Sequence, residues 1–335
     1  MKNRIRRAGT LLLCLLLCLS LLPAGEAEAS NTRYTHGKKG EFSYEADFSR
    51  ETLGDVIERY LAKKGYDEHY FAIGWVDLAS GEEWYYNPDL YLFAGSTYKF
   101  PLAMLCLDKV ASGELSLDQR IGSYDLERDL HDLIVDSSNI VAELLKYHLS
   151  PGDPAEVYAA FSVYSGIPPE ELPKEYFQGA LSPRYVIGTL RTLYEDSEKY
   201  GLLLDYMKEA RPTTFFNLYS GDYEVAHKYG AIDAYTCDSG IVYTERPFLL
   251  TVLTHCSNSV MVPIGEIARI AMDYAEYLAE NVPVPTPAPT PAPAPATEEA
   301  QPPRAPLPRA LTIGGGVALF GVSVLLFALG FRKKR

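Results

Sequence analysis

Residues 94–105 read AGSTYKFPLAML: a serine, a lysine three places on and then a proline, at the start of an apolar run of helical length. A serine there ordinarily caps the helix, its hydroxyl accepting from a free N–H of the first turn. The lysine adds something a cap does not need. Side chains three apart on a helix share a face, so a helix beginning at Ser96 would set the Lys99 amine beside the Ser96 hydroxyl. A serine becomes nucleophilic when a neighbouring base takes its proton, and a lysine of lowered pKa can be that base. One S-x-x-K arises readily by chance, so the rest of the chain has to decide between cap and catalyst.

Working outward, HYFAIGWVDLASGEEWYYN (69–87) alternates apolar and polar residues about Gly81 and predicts a β-hairpin. From Leu126 through LHDLIVDSSNIVAELLKYHL the apolar spacing is helical, as it is in PRYVIGTLRTLYEDS (183–197) and YGLLLDYMKEA (200–210). SGIVYTERPFLLTVLTHC (239–256) predicts two strands around a Glu245-Arg246-Pro247 turn, and IGEIARIAMDYAEYLAEN (264–281) an amphipathic closing helix. Strands at both ends with helices between them imply one sheet completed by a remote segment. The expected fold class is α/β of the α+β type: an antiparallel sheet from N- and C-terminal strands, packed with helices, plus a helical subdomain.

The two ends of the chain predict where it works. Residues 1–29 have a basic head, an apolar stretch and a small-x-small site at Ala27-Glu28-Ala29, the layout of a secretory signal peptide. Residues 311–330, LTIGGGVALFGVSVLLFALG, carry no charge and would span roughly 30 Å as a helix, the thickness of a bilayer core. The basic residues of the tail, 331–335, then belong on the cytoplasmic side. Between domain and anchor, residues 281–310 alternate proline with small residues and favour an extended spacer. The predicted organisation is therefore signal peptide 1–29, folded domain 30–280, linker 281–310, transmembrane anchor 311–330 and tail 331–335, on the extracytoplasmic face of a bacterial cell membrane. The order of linker, Leu307-Pro308, apolar span and basic tail resembles a cell-wall sorting signal, but Ala310 and Leu311 stand where that signal has Thr and Gly, so simple anchoring is the default.

Net charge is −13, and removing the basic ends leaves the part between them more acidic still. Such a surface repels nucleic acid. Outside the leader the cysteines are Cys106, Cys237 and Cys256, with no metal-ligand spacing, so neither a metal nor another cofactor is called for. Cys237 and Cys256 flank the 245–247 turn; a disulfide across it and two buried thiols are equally open readings.

Two more motifs follow the first. Ser137-Ser138-Asn139 is the chain's S-x-N, where the plain reading is a helix cap at Ser137 with Asn139 in the first turn. Lys228-Tyr229-Gly230 lies just before a predicted strand pair. In that order, S-x-x-K at 96, S-x-N at 137 and K-x-G at 228, the chain resembles the penicilloyl serine transferases, and most closely the class A β-lactamase family, over roughly residues 70–275. The resemblance implies a β-lactamase/transpeptidase-like fold with a cleft between sheet and helical subdomain. It implies Ser96 as nucleophile, Lys99 as its activating base, and Ser137 with Lys228 relaying a proton to the leaving nitrogen, Lys228 also keeping the cleft positive. Asn139 would orient the substrate amide and Lys99. The N–H groups of Ser96 and Ala231 would form the oxyanion hole, and Gly230 would keep the strand bare for substrate.

Three departures stand out. The interval between the first two motifs is short for class A, and Tyr229 replaces the Ser or Thr that helps bind the substrate carboxylate. The deacylating glutamate, with its asparagine four residues later, is not evident. Glu170, Glu171 and Glu175 precede Ser182-Pro183 without that partner, and Glu170 and Glu171 read equally well as first-turn residues after Pro168-Pro169. The implied function is an extracytoplasmic serine hydrolase working through an acyl-enzyme on β-lactams or a related amide. The alternatives are a D-alanyl-D-alanine peptidase-like enzyme on peptidoglycan stem peptides, or a non-turnover penicillin or peptidoglycan sensor.

Overall fold

The computed structural model describes residues 31–66, 68–256 and 260–284. Strands β1 (Thr32–His36) and β2 (Phe42–Ala46) form an antiparallel hairpin for which the sequence reading has no counterpart. Helix α1 (Leu53–Lys64) follows, opened by a Thr52/Asp55 capping box and closed by Gly65 in the left-handed conformation (φ 75°). The expected hairpin is present as β3 (Phe71–Asp77) and β4 (Glu83–Tyr86), with Gly81 at φ 77° in its turn. A short strand, β5 (Leu92–Phe93), leads through a 3₁₀ turn at Gly95–Tyr98 into α2 (Lys99–Ala111).

The helical part comprises α3 (Leu126–Ile134), α4 (Asn139–Leu149) and α5 (Pro154–Ser162). The single helical run expected from Leu126 is thus two helices, broken at 135–138, where Ser138 N–H donates to the Asp132 carbonyl and Ser137 takes a positive φ of 56°. Strand β6 (Ala180–Leu181) pairs with β5, and α6 (Pro183–Glu195) starts behind a Ser182 cap with Pro183 in its first turn. Helix α7 (Gly201–Glu209) precedes the strands β7 (Glu224–Ile232), β8 (Tyr235–Tyr243) and β9 (Phe248–His255), and α8 (Met261–Asn281) ends the described chain.

The five-stranded antiparallel sheet has the order β4-β3-β9-β8-β7, so the C-terminal strands complete a sheet begun by the N-terminal hairpin, as expected. Alternation assigns its two faces. Phe71, Ile73 and Trp75 of β3 join Leu250 and Val252 of β9 against α1 and α8, while Ala72 and Val76 join Leu249 and Leu253 against the core that contains α2 and α6. The β8–β9 turn is pinned by Arg246, buried in an ion pair with Asp77 (2.7 Å) and bonded to the carbonyls of Leu278 and Val282 at the end of α8. Strand β7 is an edge, and its free side faces the turn that precedes α2.

Cys106, Cys237 and Cys256 carry thiols, and no disulfide joins Cys237 to Cys256. The register explains why: Cys237 sits opposite Leu253, three residues short of Cys256. Among the described residues no helix is long and apolar enough to cross a membrane. The expected leader, apolar span and basic tail, and the spacer from residue 285, lie outside the described residues.

Candidate active site

Ser96 is not a cap. It lies within the 3₁₀ turn, its carbonyl accepting from Lys99 N–H, and α2 begins at Lys99 without any side-chain cap. A 3₁₀ turn repeats every three residues, so Ser96 and Lys99 still share a side. The half-buried hydroxyl is thereby left for other work. No hydrogen bond from Lys99 among the described residues goes to Ser96; the amine instead donates to the Ser137 carbonyl (2.6 Å) and Asn139 Oδ1 (2.7 Å), and reaches Ser137 Oγ at 3.3 Å.

Ser137 is likewise not the cap expected of it. Ser138 takes that role, accepting from Val141 N–H (3.3 Å), which makes Asn139 the first helical residue. The left-handed backbone of Ser137 turns its carbonyl and its hydroxyl together toward the lysines. A non-glycine residue held in that region marks a conformation the surroundings enforce.

Lys228 lies in the middle of β7 rather than ahead of the strand pair. Its amine bonds to Ser137 Oγ (3.0 Å) and to the Tyr229 carbonyl (3.0 Å), so two lysines converge on one hydroxyl. Both are fully buried. Burial pushes the Lys99 amine down to about 8, against the opposing charge of Glu143, and burial together with the Lys99 charge pushes Lys228 well below an ordinary lysine.

The close approach of its neighbours holds position 230 to glycine. A Cβ there would lie 2.0 Å from the Ala94 carbonyl oxygen and 2.7 Å from Ser96 N. A Cβ on Gly95 would lie 2.7 Å from Ala231 N. The two glycines let β7 press against the turn that carries Ser96, so that Gly230 lies beside Ser96 N and Gly95 beside Ala231 N.

Sequence reasoning missed Arg211. Its guanidinium lies over the Tyr229 ring (4.7 Å to the centroid), and that ring also stacks on Phe215 and faces the Lys228 amine at 4.0 Å. The segment that carries Arg211 is anchored by the fully buried His227, whose ring bonds to Asp238 Oδ2 (2.7 Å) and the Ala210 carbonyl (2.8 Å), while Asp238 accepts from Phe216 N–H (3.0 Å). Arg211 and Phe215 both have positive φ, 46° and 55°. Nothing in the local sequence marks Arg211, because what places it is a histidine and an aspartate from two distant strands.

Glu170 and Glu171 form the exposed 3₁₀ turn after Pro168, and Glu175 is exposed beside Lys174 (3.9 Å). Among the described residues none of the three bonds to Ser96, Lys99, Ser137 or Lys228. His131, Asp132 and Asp136 bring possible ligand atoms within 4.8 Å of one another at the end of α3, but Asp132 is already paired with Arg128 (2.9 Å). A cavity of about 660 Å³ opens between β2 and α1, lined by Phe42, Tyr60, Lys63 and Glu266, and involves none of the motif residues.

A model of the β-lactamase enzyme family matches residues 52–150 and 163–275, more than half of the chain. Among solved structures, TLA-1 extended-spectrum β-lactamase is 21% identical with a TM-score of 0.56, the match covering 68% of this chain and 98% of that one. A β-lactamase from Chitinophaga pinensis is 20% identical with a TM-score of 0.56, over 67% of this chain and 100% of the other. A variant of PBP-A, in an acyl-enzyme complex with penicillin G, is 18% identical with a TM-score of 0.57, over 68% and 97%. No curated protein matches the sequence. At these identities the likeness is one of fold, and the fold is the one expected.

Proposed function

The chain belongs to the β-lactamase enzyme family, and from that premise we propose that it is a serine hydrolase that attacks β-lactams or a related amide through Ser96. The observation that carries the reading is the convergence of the Lys99 and Lys228 amines on Ser137 Oγ beside the nucleophile turn. The neutral Lys99 amine takes the Ser96 proton as Oγ bonds to the carbonyl carbon. The resulting oxyanion is held by the N–H groups of Ser96 and Ala231. As the C–N bond breaks, the proton passes from Lys99 through Ser137 Oγ to the leaving nitrogen, with Lys228 fixing that hydroxyl and Asn139 fixing Lys99. Arg211, over the ring of the Tyr229 that replaces the family's Ser or Thr, receives the substrate carboxylate.

Release of the acyl group is the slow step in this reading, because Glu170, Glu171 and Glu175 make no bond into the site and an unassisted water attacks an ester slowly. This favours a penicillin-binding protein with a long-lived acyl-enzyme over a fast β-lactamase. A PBP-A variant of the same fold is seen in an acyl-enzyme complex with penicillin G. We place the domain outside the cell, held by the apolar span 311–330, on the strength of the two chain ends. Labelling with a fluorescent penicillin tests the reading: the wild-type chain takes the label and Ser96→Ala does not.

A further inference from the structure

The three glutamates ahead of α6 stay out of the cleft, but a carboxylate on α4 borders it. Asn139, Glu143 and Lys146 are spaced four and three apart and so lie on one stripe of that helix. The first of them touches Lys99: Asn139 Oδ1 accepts from the amine at 2.7 Å. The last reaches the turn that carries Ser96, for the Lys146 amine lies over the Tyr98 ring, 5.3 Å from its centroid, and Tyr98 directly precedes Lys99. Glu143 is the middle member, bonded through Oε1 to Lys146 at 2.7 Å. Both neighbours feel its charge. Burial lowers Lys99 and the Glu143 charge opposes it; burial pushes Tyr98 up to about 12 and the Glu143 charge adds to it.

An ion pair three residues apart on a helix is ordinarily a surface feature of little worth. This one is lopsided: the Lys146 side chain is 11% exposed and that of Glu143 68%. The amine is packed in, while the carboxylate meets water one helical turn from the Asn139–Lys99 bond. Among the described residues nothing bonds to its Oε2, and Lys99 donates only to Ser137 and Asn139. We propose that Glu143 is the general base that releases the acyl group from Ser96. Oε2 takes a proton from a water as the water oxygen bonds to the acyl carbonyl carbon. The bond from that carbon to Ser96 Oγ then breaks, and the proton passes from Glu143 through the neutral Lys99 amine to Oγ, leaving the free serine, the Glu143 carboxylate and the product acid. The bond to Lys146 ties the carboxylate back, so release is assisted yet slow. This rests on the proposed acyl-enzyme and names the residue that ends it.

The test separates the two half-reactions. The full chain, wild type or Glu143→Gln, is acylated with penicillin G and desalted rapidly, and the adduct is followed by intact-protein mass spectrometry. Glu143→Gln should lengthen the life of the acyl-enzyme about 10- to 100-fold, the lower part of the range for a general base. Acylation measured at about pH 9, above the rise set by Lys99, should stay within about twofold of wild type. Hydroxylamine, a nucleophile that needs no base, should strip the acyl group from both proteins at the same rate. An unchanged lifetime in Glu143→Gln overturns the proposal and leaves the acylation chemistry standing. Acylation that falls in proportion to release also overturns it, showing that Glu143 acts only through Lys99. Hydroxylamine release slowed as much as hydrolysis overturns it too, assigning Glu143 to access to the ester. A wild-type chain that is never acylated refutes both the proposal and the serine chemistry it rests on.

Discussion

Lys228 and Ser137, 91 residues apart in the chain, meet with Nζ 3.0 Å from Oγ. The contact joins the edge of the sheet to the break between α3 and α4, and so closes the cleft around Ser96 from two independent parts of the fold. Neither residue would be held there by its own element alone: Lys228 needs β7 pressed in by Gly230, and Ser137 needs the left-handed turn.

The acylation rate should follow the ionisation of Lys99. Only the neutral amine accepts the Ser96 proton, and Lys99 is lowered to about 8. The rate therefore rises with pH through the neutral range and levels off above about 8. Glu143, whose charge raises Lys99, should when changed to Gln move that rise to lower pH. Stopped-flow acylation across pH 5 to 10 measures both, and a rate flat across that range would remove Lys99 as the base.

Gly230→Ala should be far worse than a surface glycine change. Its new methyl would fall 2.0 Å from the Ala94 carbonyl oxygen, against backbone that cannot step aside. A loss of about 1–3 kcal/mol in stability and a loss of acylation should appear together in thermal melts and labelling. Normal labelling would mean that β7 does not press on the turn that carries Ser96 as described.

Arg211→Ala should weaken binding of penicillin G about 10- to 100-fold, the worth of a hydrogen bond to a charged group, and leave the methyl ester of the same penicillin nearly unaffected. Arg211→Lys should recover part of the loss. Equal losses for acid and ester would assign Arg211 to the packing of Tyr229 and Phe215.

The thiols give a check on the fold itself. Complete burial pushes Cys106 and Cys237 up to about 12, so neither should react with a thiol reagent until the protein unfolds, whereas the partly exposed Cys256 should. Reduction should not change the count. A count that rises on reduction would contradict the β8–β9 register.

What could be read from the sequence was what depends on local pattern. The alternation about Gly81 gave β3 and β4, Ser182-Pro183 marked the start of α6, and Glu245-Arg246-Pro247 the β8–β9 turn. What could not be read depends on distant partners. His227 and Lys228 look like loop residues because they are polar, yet both are fully buried, one against Asp238 and Ala210 and the other against Ser137. Ser137 and Ser138 are adjacent and equally able to cap, and only the backbone shows that Ser138 does so. The β1–β2 hairpin escaped because its short strands are largely polar and their partners are distant in the chain: Phe42 and Ala46 join the core that contains α1 and α8, and Tyr44 OH donates to Asp273 (2.6 Å).

Turnover should be slow, and Glu170→Gln, Glu171→Gln and Glu175→Gln should each leave the lifetime of the acyl-enzyme within about twofold, since all three are exposed and bonded elsewhere or not at all to the site. Rapid multiple turnover that is lost on changing one of them would make this a working β-lactamase with a loop that closes on substrate.

The central claim is that Ser96 is the nucleophile, and intact-protein mass spectrometry after incubation with penicillin G at neutral pH tests it most directly. The account predicts one added penicillin per chain, persisting for minutes or longer, mapped to Ser96 and absent from Ser96→Ala. An adduct that survives in Ser96→Ala, or a wild-type chain that never gains one, would contradict it.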